Sequence, residues 1–266
     1  MATVKTTSTV TSSDGTRIAY DRMGSGPAVI LVAGALGSRA TGFNSELAAL
    51  LAEKMTVYNY DRRGRNESGD TPPYSVTREV EDLDAIIDEA GGTACVYGIS
   101  SGAALALESA VRLSGRIEKL ALYEAPYGSP SWGSGSDSYD QKVERLLVRG
   151  QFDDALDLFM TVAGTPPDMI KNMHDAPIWP VFEGLAPTLS YDAACMNGGV
   201  VPSQRAALVE AKTLALNGGS SPDCMRTTAR AICRLVPNAD YKELPGQTHN
   251  VDPKVLAPVL LEFFLE

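Results

Sequence analysis

Gly98-Ile99-Ser100-Ser101-Gly102 is a Gly-x-Ser-x-Gly pentad between an apolar run, Thr93-Ala94-Cys95-Val96-Tyr97, and a helix-like run from Ala103 to Leu113. A serine on a sharp strand-to-helix turn presents its hydroxyl outward, where a base can activate it. Small neighbours let strand, turn and helix approach closely. Ser100 is therefore a candidate nucleophile. With 24 glycines in 266 residues the pentad alone identifies nothing, and its context must decide. The base for such chemistry is a histidine, whose unperturbed pKa of about 6.5 lies near working pH. The chain has 2 of them. His249 closes Gly246-Gln247-Thr248-His249, on a loop able to return an imidazole toward Ser100. His174, in Asn172-Met173-His174-Asp175, has no motif around it; it reads as a surface or structural histidine, with a substrate contact as the alternative.

Elements of the right kind surround these residues. Ser8-Thr9-Val10-Thr11 and Arg17-Ile18-Ala19-Tyr20, joined through Asp14-Gly15, read as a hairpin. Ala28-Val29-Ile30-Leu31-Val32 is a continuous apolar run, the mark of a strand buried on both faces. Phe43, Leu47, Leu50 and Leu51 follow at helical spacing, and residues 55–60 supply a strand rich in β-branched and aromatic side chains. The alternation continues with a helix over 77–90, a strand at 93–97, a helix at 101–113 and a strand at 119–123. It resumes with a strand at 213–216, a helix at 223–235, a strand at 241–244 and a final helix from Asp252. This pattern predicts an α/β fold, a mostly parallel central sheet with helices on both faces. Residues 1–126 and 201–266 form that core. Residues 127–200, with helical pieces at 139–149 and 153–163 and no convincing strand, read as an inserted helical cap. The cap opens on a flexible run at 128–136 and holds both tryptophans, Trp132 and Trp179. Their simplest use is packing within the cap. The alternative is that they line an apolar substrate pocket beneath it.

Composition bounds the rest. A chain of this length buries a substantial core, and 44% apolar with 21% charged residues is ordinary for a globular domain. A net charge of −10, with no basic cluster beyond Arg62-Arg63-Gly64-Arg65, argues against a nucleic-acid partner and leaves a small molecule as the expected one. The longest apolar run, 28–36, is far too short to cross a bilayer. The first residues, Met1-Ala2-Thr3-Val4-Lys5-Thr6, lack an apolar secretory segment. The cysteines, at 95, 195, 224 and 233, form no Cys-x-x-Cys pair and have no His-rich neighbour. Reduced thiols, no metal centre, no cofactor and a cytoplasmic setting are expected.

Taken in order, these segments resemble the α/β-hydrolase-fold superfamily: capped serine hydrolases and esterases, with a likeness also to cofactor-free haloperoxidases. Val32-Ala33-Gly34-Ala35-Leu36-Gly37 follows the third strand, and Asp61-Arg62-Arg63-Gly64-Arg65-Asn66-Glu67-Ser68 follows the fourth. The pentad follows the fifth and His249 the last, which is the family's order. The resemblance implies that Ser100 is the nucleophile and His249 the general base, then acid. It assigns the backbone N–H groups of Ala35 and Ser101 to an oxyanion hole. The family's frequent His-Gly is here Ala33-Gly34. The segment from Asp61 is implied to be a structural turn, with Asn66, which tolerates left-handed angles, at the usual glycine.

The triad acid departs from the pattern. The family places an Asp a few residues past the strand at 213–216, where this chain reads Asn217-Gly218-Gly219-Ser220-Ser221-Pro222. Glu124 and Asp223 are the candidates. Glu124 is preferred, because it ends the strand at 119–123 and certain haloalkane dehalogenases place their acid there. Asp223 is also placed to cap the following helix. The resemblance then implies a cofactor-independent serine hydrolase acting on an ester, thioester or lactone of a small, largely apolar molecule. Two rivals share the scaffold: a specialist such as a perhydrolase, C–C hydrolase, lyase or cyclase, and a ligand-binding protein without turnover.

Overall fold

The computed structural model describes residues 5–129, 132 and 138–266. The chain enters as an antiparallel hairpin, β1 (Lys5–Thr11) and β2 (Arg17–Gly24), whose turn is closed by Asp14 Oδ1 accepting the Thr16 N–H at 3.0 Å. Then come β3 (Ala28–Val32), α1 (Ser45–Leu51), β4 (Thr56–Tyr60), α2 (Val76–Glu89), β5 (Ala94–Ile99), α3 (Ser101–Arg112) and β6 (Ile117–Tyr123). A helical stretch intervenes: α4 (Tyr139–Val148), α5 (Phe152–Val162), α6 (Pro167–His174), α7 (Trp179–Leu185), α8 (Leu189–Cys195) and α9 (Ser203–Ala206). The chain ends with β7 (Lys212–Gly218), α10 (Asp223–Leu235), β8 (Ala239–Leu244) and α11 (Pro253–Leu265).

The sheet runs β1-β2-β4-β3-β5-β6-β7-β8, antiparallel as far as the β2–β4 pair and parallel from β4 onward. Its central strands carry apolar residues at nearly every position because both faces are covered. Successive side chains point to opposite faces. Ile30, Val32, Val96, Leu120 and Leu122 thus meet α2, α3 and α10, while Val29, Leu31, Tyr97 and Tyr123 meet α1 and α11. A third apolar cluster, built on α4 to α8 from Val143, Leu156, Trp179, Phe182 and Leu189, reaches down to Leu36 in the loop after β3.

The expected α/β architecture is the observed one. Strands overrun their expected ends, since ladder hydrogen bonds continue into polar residues whose backbone still pairs: β7 extends to Gly218, opposite Leu244. Of the flexible run at 128–136, residues 130, 131 and 133–136 lie outside the described residues. Trp132 donates from Nε1 to the Pro126 carbonyl at 2.7 Å and meets the Tyr139 ring edge-on, with centroids 4.8 Å apart.

Candidate active site

Register brings Ser100 and Glu124 together. Ile99 pairs with Tyr123 across β5 and β6, so Ser100 and Glu124, each the next residue along its strand, leave the sheet side by side. The Ser100 N–H donates to the Tyr123 carbonyl at 3.0 Å. Ser100 has φ +57° and ψ −130°, a strained conformation for a residue with a side chain. It stands at the N-cap of α3 yet makes no side-chain capping bond. A serine there ordinarily spends its hydroxyl on the helix's first N–H groups. Here the hydroxyl is left for other chemistry, because the Ala103 and Ala104 N–H groups donate to the Ser100 carbonyl instead, at 2.9 and 3.2 Å. The turn is this tight because Gly102 lies against β3, where a Cβ would come 2.3 Å from the Val32 carbonyl oxygen.

The loop after β8 delivers His249. Its Nδ1 is 2.8 Å from Glu124 Oε2, while Glu124 Oε1 accepts the Gly218 N–H at 2.7 Å. The Glu124 side chain is fully buried and that of His249 is 41% exposed. A carboxylate held on Nδ1 fixes the imidazole's orientation and leaves Nε2 free to take a proton. Glu124 reaches this position through a left-handed backbone, φ +48°, as the chain turns off β6. The loop is braced by the Tyr123 hydroxyl, which donates to the Thr248 carbonyl at 2.6 Å. The other carboxylate, Asp223, lies at the start of α10 with a side chain 91% exposed, paired with Arg226 at 2.9 Å. The structure brings Glu124 to the histidine.

Gly34 packs against Ser100, its hypothetical Cβ 2.9 Å from the serine Cβ, so the loop after β3 borders this serine directly. Ala35 follows it. Among the described residues, no hydrogen bond takes up the backbone N–H of Ala35 or of Ser101. Two free donors beside a serine hydroxyl can receive an oxyanion.

Beneath that loop lies a buried ionic cluster. Arg62 forks onto Glu79 at 2.7 and 2.6 Å and donates to the Ala33 carbonyl at 3.2 Å. Arg65 donates to the carbonyls of Gly34 at 2.6 Å and Gly37 at 3.1 Å. Both arginines meet Asp192 of α8, at 2.7 and 2.8 Å, and Asp192 also accepts the Ser101 hydroxyl at 2.7 Å. Burial would raise the carboxyls of Glu79 and Asp192, but the adjacent arginines outweigh it and hold both below their ordinary values. The turn from Asp61 is thus built inward: Asp61 itself receives the Arg39 guanidinium at 2.9 Å and the Asn66 amide at 2.8 Å. The sequence pattern implies a structural turn here and carries no sign of a role for Asp192. An aspartate 127 residues from its arginine, within an unremarkable helix, leaves no local signal.

The remaining sequence-predicted residues are placed as follows. Trp179 donates to Asp153 at 2.9 Å and stacks on His174, with ring centroids 3.9 Å apart, and His174 meets Asp157 at 2.8 Å. Trp132 joins the chain leaving Glu124 to Tyr139. All four cysteines are free, and burial pushes the Cys95 thiol up to about 12. Among the described residues no group of three or more His, Cys, Asp or Glu side chains is arranged to hold a metal ion, and no helix is long and apolar enough to cross a membrane.

The sequence model of the alpha/beta hydrolase family matches residues 29–259. An alpha/beta hydrolase from Sphaerobacter thermophilus DSM 20745 superposes with a TM-score of 0.88 at 49% identity, covering 97% of this chain and 100% of that one. Among curated proteins, a zearalenone hydrolase of Cladophialophora bantiana is 29% identical over 136 residues, 49% of this chain and 51% of that protein. A zearalenone hydrolase of Bionectria ochroleuca is 28% identical over 132 residues, 46% of this chain and 48% of its own. The chain spans about half the length of the curated relatives it matches.

Proposed function

The chain belongs to the alpha/beta hydrolase family, and from that premise we propose that it is a serine hydrolase. Its substrate is an ester, thioester or lactone of a small, largely apolar molecule. The observation that carries this reading is the 2.8 Å approach of Glu124 to His249 Nδ1, beside a strained serine whose hydroxyl caps nothing.

In the proposed reaction, Ser100 Oγ attacks the carbonyl carbon as its proton passes to His249 Nε2, and the carbonyl π electrons move onto oxygen. The N–H groups of Ala35 and Ser101 receive that oxyanion. The carbon–heteroatom bond then breaks, the leaving group takes the proton from His249, and an acyl-enzyme remains on Ser100. Water loses a proton to His249 as its oxygen attacks the acyl carbon. Collapse returns the proton to Ser100 Oγ and releases the acid. Glu124 holds the imidazole in the productive tautomer and stabilises the imidazolium.

The helical stretch between β6 and β7 is proposed as a cap over this site. Leu36, next to the oxyanion donor Ala35, is buried among Trp179, Phe182 and Leu189 of that stretch, which supports an apolar substrate. The likeness to two zearalenone hydrolases supports hydrolysis as the reaction. Four free cysteines suit a reducing, cytoplasmic setting. The test is a fluorophosphonate probe with a panel of aryl and acyl esters. Labelling and turnover are expected in the wild type, and both should vanish in Ser100→Ala. Turnover that survives in Ser100→Ala, or a wild type that neither labels nor cleaves any ester, would sink the proposal.

A further inference from the structure

Three donors converge on one oxygen of Asp192: the Ser101 hydroxyl at 2.7 Å, Arg62 Nη1 at 2.7 Å and Arg65 Nη2 at 2.8 Å. The other carboxylate oxygen is buried with no hydrogen-bond partner among the described residues, so the side chain's hydrogen bonding rests on those three contacts. They lead to both halves of the oxyanion hole. On one side is the residue after the nucleophile. On the other, Arg65 donates to the Gly34 carbonyl at 2.6 Å.

That last contact orients a catalytic dipole. The Gly34 carbonyl and the Ala35 N–H belong to one planar trans peptide, and they point in opposite directions. The Gly34 carbonyl, which also accepts the Gly37 N–H at 3.1 Å, is pinned to the Arg65 guanidinium, and this turns the Ala35 N–H away from the arginine. Arg62 on Ala33, at 3.2 Å, and Arg65 on Gly37, at 3.1 Å, hold the peptides on either side. Both arginines are in turn held by a carboxylate from α8, outside the core.

We propose that Asp192 is a positioning residue: it aligns the Ala35 and Ser101 donors and links the docking of the cap to formation of the oxyanion hole. The inference rests on the serine-hydrolase reading. With α8 seated, Arg65 is drawn onto the Gly34 carbonyl and the Ser101 hydroxyl is anchored. Without the carboxylate, the Ser101 hydroxyl loses its acceptor and Arg65 its ion pair, which leaves the Gly37 N–H, at 3.1 Å, as the remaining hold on the Gly34 carbonyl.

Two variants test this. Asp192→Asn keeps the shape and removes the charge. Ser101→Ala removes one hydroxyl while keeping the backbone N–H and every charge, so it folds even where Asp192→Asn does not. Each is assayed for kcat and KM on an aryl ester, and for affinity toward an aryl trifluoromethyl ketone, whose adduct with serine carries an oxyanion. Asp192→Asn should lose kcat by at least about tenfold with KM nearly unchanged, the pattern of a contact used only in the transition state. Ketone affinity should weaken by the same factor, and Ser101→Ala should show the same pattern to a smaller extent. Wild-type kcat and ketone affinity in Ser101→Ala, or in folded Asp192→Asn, overturn the inference even if the melting temperature falls. Labelling of wild-type Ser100 is measured in parallel. Its absence would defeat the serine reading, and this inference with it, whereas normal labelling with unaffected variants defeats this inference alone.

Discussion

Glu124 uses both of its oxygens, one toward His249 Nδ1 and one on the Gly218 N–H. Glu124→Gln keeps the shape but must turn its NH2 group toward one of two donors. Either the imidazole changes tautomer or the Gly218 contact breaks. Kinetics should therefore show kcat reduced by roughly 10²–10⁴-fold, while Asp223→Asn, at an exposed position, should leave it within about twofold. The reverse ranking would transfer the acid to Asp223. Legibility at this scale followed locality. Ser100 and His249 sit in short motifs whose neighbours announce a turn. Glu124 could be read only as one of two carboxylates, because the usual acid position holds serine and the choice depends on which loop reaches the imidazole. Asp192 was invisible, since its three partners come from two distant turns.

At the scale of elements, the end of β7 supports the histidine loop. A Cβ on Gly218 would lie 2.3 Å from the Gln247 carbonyl oxygen, so Gly218→Ala must push back the loop that carries His249. We expect a folded protein destabilised by about 1–3 kcal/mol in urea titration, from overpacking. Its kcat should fall more than its KM rises, because the imidazole moves relative to Glu124; an unchanged kcat would show that the loop absorbs the displacement elsewhere. Sequence patterning located most of these elements, since apolar runs and helical spacing are local properties. It stopped the strands short, at 216 for β7, where the last paired residues, Asn217 and Gly218, join the ladder through backbone, and at 97 for β5, where Gly98 interrupts the apolar run before Ile99.

For the whole molecule, buried charge makes stability depend on acidity. Burial opposes ionisation of Asp14, Asp21, Glu79 and Asp192, yet their hydrogen-bonding and cationic partners more than offset it and hold all four below ordinary values. The unfolded chain then binds protons first as pH falls through 3.8 for Asp and 4.5 for Glu, so stability is present above that range and lost below it. Asp82, pushed up to about 6 by burial, acts in the opposite sense, its contribution falling as pH rises through 6 and constant below 3.8. Urea midpoints should therefore drop steadily from about pH 4.5 to about pH 2, and a flat midpoint there would contradict the ion-pair account. The position of Glu124 also bears on chimeras. Glu124 stands immediately upstream of the helical insertion, and the Pro126 carbonyl two residues later already holds Trp132. A cap transplanted from another enzyme would have to be spliced downstream of Pro126. A graft cut at the end of β6 would exchange the proposed acid, Glu124, together with the proposed cap.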